Sequence, residues 1–218
     1  MVLRQRAART VDRSLPKNFP APASYQPGTV SDELLTLIDV TATTMALAGL
    51  PKPERMQGRV FLGPMREPAP TLVFAARDRT DNAVNRIRSV RTARYRYIRN
   101  FMPEKAFLAR HTYKEAYYPV YRVLREWEQD GRLSAAQATL TRPRLPDEEL
   151  YDVINDPYEV VNLAQSSYAA HQTALRELRA ALEVWMKGTH DQGHLPEPAG
   201  VLEYWDAAAQ RTHGKHLK

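Results

Sequence analysis

At 218 residues, with 43% hydrophobic and 26% charged residues, the chain has a globular composition and enough length for one substantial core or two small ones. The absence of cysteine excludes disulfides, thiolate metal sites and a cysteine nucleophile, and no apolar run approaches the ~20 residues of a membrane span. A net charge of +6 and a pI near 9.6 favour a polyanionic partner, whether nucleic acid, acidic lipid or sulfated sugar, without choosing among them.

Residues 1–15 carry Arg4, Arg6, Arg9 and Arg13 with no apolar segment behind them, which is not the pattern of a signal peptide. Residues 16–30, with Pro16, Pro20, Pro22, Pro27 and Gly28, read as an extended loop. Ser31 is expected to cap a helix with Asp32 and Glu33 in its first turn and Leu34, Leu35 and Ile38 on its apolar face. Asp39 then restarts or kinks it, and a second run through Met45 and Leu47 ends at Gly49, with Pro51 and Pro53 as stop signals.

Residues 64–70 read as a loop and 71–76 as a buried strand. A polar connection follows, Arg77-Asp78-Arg79-Thr80-Asp81-Asn82, then two strands over 86–90 and 94–98 joined around Thr92-Ala93. Residues 113–129 give a helical stripe through Tyr117, Val120, Tyr121, Leu124 and Trp127, interrupted at Pro119 and ended by Gly131, and 134–140 a further short helix. Residues 149–153 alternate as a half-buried strand that Asn155-Asp156-Pro157 stops. Ser166 or Ser167 caps the next helix, whose stripe is Leu175, Leu178, Leu182 and Trp185, with Gly188 at its end. The tail from Ala207 reads as frayed. The layout is α+β: a small antiparallel sheet of about four strands packed by helices, including a long C-terminal helix.

The stretch ELYDVINDPYEVVNLA at 149–164, followed by that helix, resembles the C-terminal subdomain of the sulfatases. Trp185, Thr189-His190-Asp191 and the 198–203 run PAGVLE resemble the end of the heparan N-sulfatase (sulfamidase, N-sulfoglucosamine sulfohydrolase) branch and its bacterial relatives. Upstream, Asp39, Thr43, Gly49-Leu50-Pro51 and Gln57-Gly58-Arg59 match the family, while Ala42 stands where proline is usual. The resemblance implies the rear part of an alkaline-phosphatase-like sulfatase fold. Residues 1–15 match nothing, 16–63 read as a remnant of the large α/β domain, 64–203 as the C-terminal subdomain and 204–218 as a frayed tail.

Sulfatases cleave sulfate with a formylglycine made from Cys or Ser in C/S-x-P-S-R, acidic residues on calcium, and Lys and His around the sulfate. The resemblance implies that these lie upstream of what this chain matches. The expectation is therefore a C-terminal sulfatase fragment with no catalytic residues, no calcium or formylglycine of its own, and no hydrolysis alone. Ser14-Leu15-Pro16-Lys17-Asn18 is a near match without the Arg. Residues 1–15 suggest a truncated or shifted reading frame, or one half of a split enzyme whose partner is an N-terminal sulfatase domain. The family works in periplasmic, secreted or lysosomal compartments.

Candidate substrate-binding residues are Arg77, Asp78, Arg79 and Asp81, whose guanidinium forks suit sulfate oxygens and whose carboxylates suit sugar hydroxyls, and His190 of the tail motif. The partner implied is a sulfated glycan. The alternative is a stand-alone polyanion-binding module using Arg86, Arg88, Arg91, Arg94, Arg96 and Arg99 with Tyr95 and Tyr97; without the aromatic-and-glycine signature of an RNA-binding strand, nucleic acid is the lesser expectation and a charge-blunted edge hairpin the plainer one. Paired histidines at 190/194 and 213/216 lack carboxylates to complete a metal site.

Overall fold

The side chains of Asp39 and Thr43 hold the first described helix to the segment that follows it. The computed structural model describes residues 30–108, 111–193 and 195–217, so the expectations for residues 1–29, among them Ser14, and for His194 lie outside the described residues. Two units divide after Val73.

In the first unit, α1 (Leu37–Leu47) begins at Thr36, five residues later than Ser31 suggests. Ser31 instead accepts a local bond from the Glu33 N–H. Asp39 does not kink the helix but opens it: its Oδ2 accepts the Thr36 N–H at 2.8 Å and its Oδ1 the Arg59 N–H at 2.9 Å. Thr43 Oγ1 accepts the Phe61 N–H at 3.1 Å and faces the Arg59 carbonyl. A Cβ on Gly58 would lie 2.1 Å from the Ile38 carbonyl oxygen, so only glycine lets this segment approach α1 so closely. Arg59 reaches Glu33 and the Leu34 carbonyl. Asp39, Thr43, Gly58 and Arg59 are thus one interlock. Gly49, at φ 73°, ends α1 with the Gly49 and Leu50 N–H groups returning to Ala46 and Met45. Leu37, Ile38 and Val40 on α1 remain at least half exposed.

The second unit is built on a four-stranded meander of β1 (Val73–Thr80), β2 (Ala83–Arg91), β3 (Tyr95–Asn100) and β4 (Glu148–Asp152), in that spatial order. Val90 faces Tyr97 and Tyr97 faces Leu150 across the antiparallel pairs. Two expectations need correction. Arg77 to Thr80 are strand, not connection, and the link shrinks to Asp81-Asn82, with Asp81 at φ 53°. β1 is an edge, where alternating charge is tolerated and useful, and its Ala75 and Ala76 are exposed rather than buried. The arginine hairpin, by contrast, is the centre of the sheet, with Arg88 and Arg96 buried.

Helices α2 (Thr112–Tyr117), α3 (Pro119–Gln129) and α4 (Ala135–Thr141) follow β3. Pro119 starts α3 rather than bending one long helix, because the missing N–H is harmless at a first position. Ser134 and Gln137 form the reciprocal cap of α4. α5 (Ala169–Gly188) lays Leu175, Leu178 and Leu182 on the sheet over Val90, Tyr97 and Leu150, all nearly inaccessible, and Trp185 stacks on Phe74 at 5.1 Å. Its N-cap is Tyr168, not a serine; Ser166 Oγ braces the Tyr168 N–H from two residues back. The tail does not fray: α6 (Ala199–His213) and a 3-10 turn (Gly214–His216) dock by Gln210 on Thr112 and Asp206 on Asn82.

The turn after β4 is held by its own side chains. Asp152 accepts the Ile154 and Asn155 N–H groups, and Asp156 those of Val160 and Val161. Asn162 accepts from Leu150 and Ala164 and donates to the Glu148 carbonyl, while the Leu163 N–H returns to Leu150. The Asn-Leu pair thereby closes the free edge of β4.

Candidate functional site

α5 ends in a reversal that places a carboxylate. The His190 N–H bonds the Lys187 carbonyl and the Asp191 N–H that of Met186, with His190 at φ 52° in the position usually given to glycine. Asp191 then meets Arg88 side-on, Nε to Oδ2 at 2.7 Å and Nη2 to Oδ1 at 2.8 Å, while Asp78 takes Nη2 at 2.7 Å. Arg88 Nη1 donates to the Arg77 and Ile87 carbonyls. Burial pulls the Arg88 guanidinium down, and the bonds from Asp191 and Asp78 reverse that and raise it above its ordinary value. Gly193 has no room for a side chain, since its Cβ would fall 1.4 Å from Arg88 Nη2.

The predicted site residues therefore separate. Asp78 is a partner of Arg88. Arg79 pairs with Glu197 at 3.3 Å and lies over the Trp205 ring at 4.6 Å. His190 is exposed and shapes the backbone. Arg77 and Asp81 remain. Arg77 is half-buried with a solvent-sealed Nε that has no hydrogen-bond partner, and burial holds it below its ordinary value, with Tyr121 opposing. Asp81 Oδ2 is likewise sealed and unpartnered.

His111, which no local pattern singles out, completes this neighbourhood. It is 3% exposed and neither ring nitrogen has a partner. Burial lowers its pKa first, Lys114 next; Asp81 raises it and Arg77 lowers it, so these charges surround it. The Asn82 side chain clamps Thr112 from both sides, which fixes His111 beside the β1–β2 turn. The half-buried Arg77 and Asp81 offer a cation and a carboxylate that can hold an anionic, hydroxylated ligand, while His111 is closed off from solvent. They do not pair a nucleophile with a base. Among the described residues no group of three or more His, Cys, Asp or Glu is placed to hold a metal ion.

Much of the hairpin's charge is engaged inside the unit. Arg94 binds Asp152, Arg96 binds Glu159, and Arg99 and Arg179 share Glu148 with the Tyr97 hydroxyl. The Arg179 hydrogen bonds hold Glu148 down at about 2, against the opposing effect of burial. Burial, then the Glu148 bond, push Tyr97 up to about 12.

No family model matches the chain. Two ulvan-active sulfatases of Formosa agariphila are similar to it. One is 32% identical over 187 residues, covering 86% of this chain and 31% of the relative. The other is 29% identical over 177 residues, covering 78% and 32%. The chain spans about a third of the length of the curated relatives it matches. A solved 2-O GAG sulfatase superposes with a TM-score of 0.50 at 20% identity, over 79% of this chain and 29% of that one, and shares its mixed α+β fold. These matches support the sulfatase family for this chain.

Proposed function

We propose that this chain is the C-terminal portion of a sulfatase acting on a sulfated glycan, supplying sugar-side binding groups and depending on a large α/β domain for nucleophile and calcium. The observation that carries the reading is 32% identity sustained over 187 residues of a sulfatase, within 31% of that relative's length. The exposed apolar side chains Leu37, Ile38 and Val40 on α1 and, in the other unit, Ile154, Tyr158 and Val161 after β4 support the reading, since each set offers surface to such a domain. Arg77 and Asp81 are the proposed glycan contacts, with the buried His111 beside them. Asp78, Arg79 and His190 shape the site through Arg88, Glu197 and the α5 reversal.

The curated relatives are ulvan-active sulfatases, which makes ulvan the first substrate to try. The second reading, sulfamidate hydrolysis on an N-sulfated sugar, rests on Trp185, Thr189-His190-Asp191 and the 198–203 run. The test is sulfate release from ulvan oligosaccharides and from N-sulfated glucosamine, with calcium, by the chain alone and by the chain joined to an upstream sulfatase domain. Release only by the joined protein is expected, and the preferred sugar separates the two readings. There, Arg77→Ala raises KM about tenfold with kcat little changed, the mark of lost uniform binding. Release by the chain alone overturns the proposal.

A further inference from the structure

At the far end of β2 from Arg77, two cations face each other with one anion between them. Arg91 and Arg96 are direct cross-strand partners, so their side chains leave the sheet on the same face. Like charges so placed repel unless something neutralises them. Among the described residues Glu159 accepts its hydrogen bonds from Arg96, both its oxygens lying 2.8 Å from Arg96 Nη1, and reaches Arg91 only through its charge. It is fixed there, because its backbone sits at φ 53° with its N–H on the Asp156 carbonyl, inside the turn that Asp156 also braces. Arg91 makes no hydrogen bond among the described residues, and its Nε is sealed from solvent. Burial and then Arg96 weaken its hold on its proton, with Glu159 opposing.

We propose that Arg91 and Arg96 form a binding site for a singly charged oxyanion group, a sulfate ester or a carboxylate. Two guanidinium groups and one carboxylate leave one positive charge, which such a group neutralises. The guanidinium of Arg91 offers it the Nη–H groups, which are not sealed, and the sealed Nε–H beside them reports their occupation. This site uses none of Arg77, Asp81 or His111, and it stands whether or not the chain takes part in sulfate hydrolysis.

The test follows the Arg91 Nε–H resonance of the full chain by NMR while methyl sulfate, acetate or chloride is added at constant ionic strength. A saturable shift with methyl sulfate alone assigns the site to sulfate esters, and one with methyl sulfate and acetate to oxyanions in general; both support it. Arg91→Lys, which keeps the charge and loses the fork, weakens binding about tenfold, read from neighbouring amides. Glu159→Gln removes the competing carboxylate and tightens binding severalfold, a result that loss of folding cannot mimic. Equal shifts with chloride, or unchanged affinity in both variants, overturn the proposal.

Discussion

Arg88 and Arg77 sit on neighbouring strands with the same side chain, and the structure treats them oppositely. Arg88 is 1% exposed, saturated by two carboxylates and two carbonyls. Arg77 is half-buried and keeps one unmet donor, its Nε. The difference teaches where buried charge is structure and where it is capacity. A satisfied guanidinium organises its surroundings, here the α5 reversal and the return of residues 191–193 to the sheet, whereas an unsatisfied one costs stability and is retained for what it can bind.

Replacing each of them sharpens that contrast. Arg88→Ala strips the partner from Asp191 and Asp78 and is expected to cost about 3–5 kcal/mol, seen as a thermal midpoint lowered by roughly 10 °C. A loss under about 1 kcal/mol by denaturant titration would break the comparison. Glu148, saturated like Arg88, gives an intermediate effect with a pH signature. Its folded pKa of about 2 lies below the ordinary 4.5, so its contribution is fully present above pH 4.5 and is lost as pH falls towards 2. Glu148→Gln should cost about 1.5–3 kcal/mol at pH 7, and its unfolding curve should converge on the wild type near pH 2. Arg77→Ala should change stability by no more than about 0.5 kcal/mol, because it removes no formed bond. A large loss would place Arg77 with Arg88 after all.

The turn after β4 was legible because its bonds are local: Asp152, Asp156 and Asn162 cap backbone within a few residues or on the adjacent strand. Gly49 was legible for the same reason, a residue type suited to a left-handed helix end. His190 occupies the equivalent position at the end of α5 and was not, since nothing in an exposed histidine announces φ 52°. The strand character of Arg77 to Thr80 was hidden by its charge, which reads as loop until the strand is known to be an edge. The start of α1 was misplaced because Asp39 is fixed by Arg59, 20 residues away.

By itself the sequence determined the α+β class and the strand-turn-helix around 149–188, because periodicity and turn chemistry act over a few residues, and its motifs carried the family resemblance. Only the tertiary structure decided which charges are spent and which are free. Arg88 found Asp191 across 103 positions and Arg96 found Glu159 across 63, while His111 came to Arg77 and Asp81 only when Asn82 gripped Thr112. Pairing at such separations depends on chain reversals and strand register that no local pattern encodes.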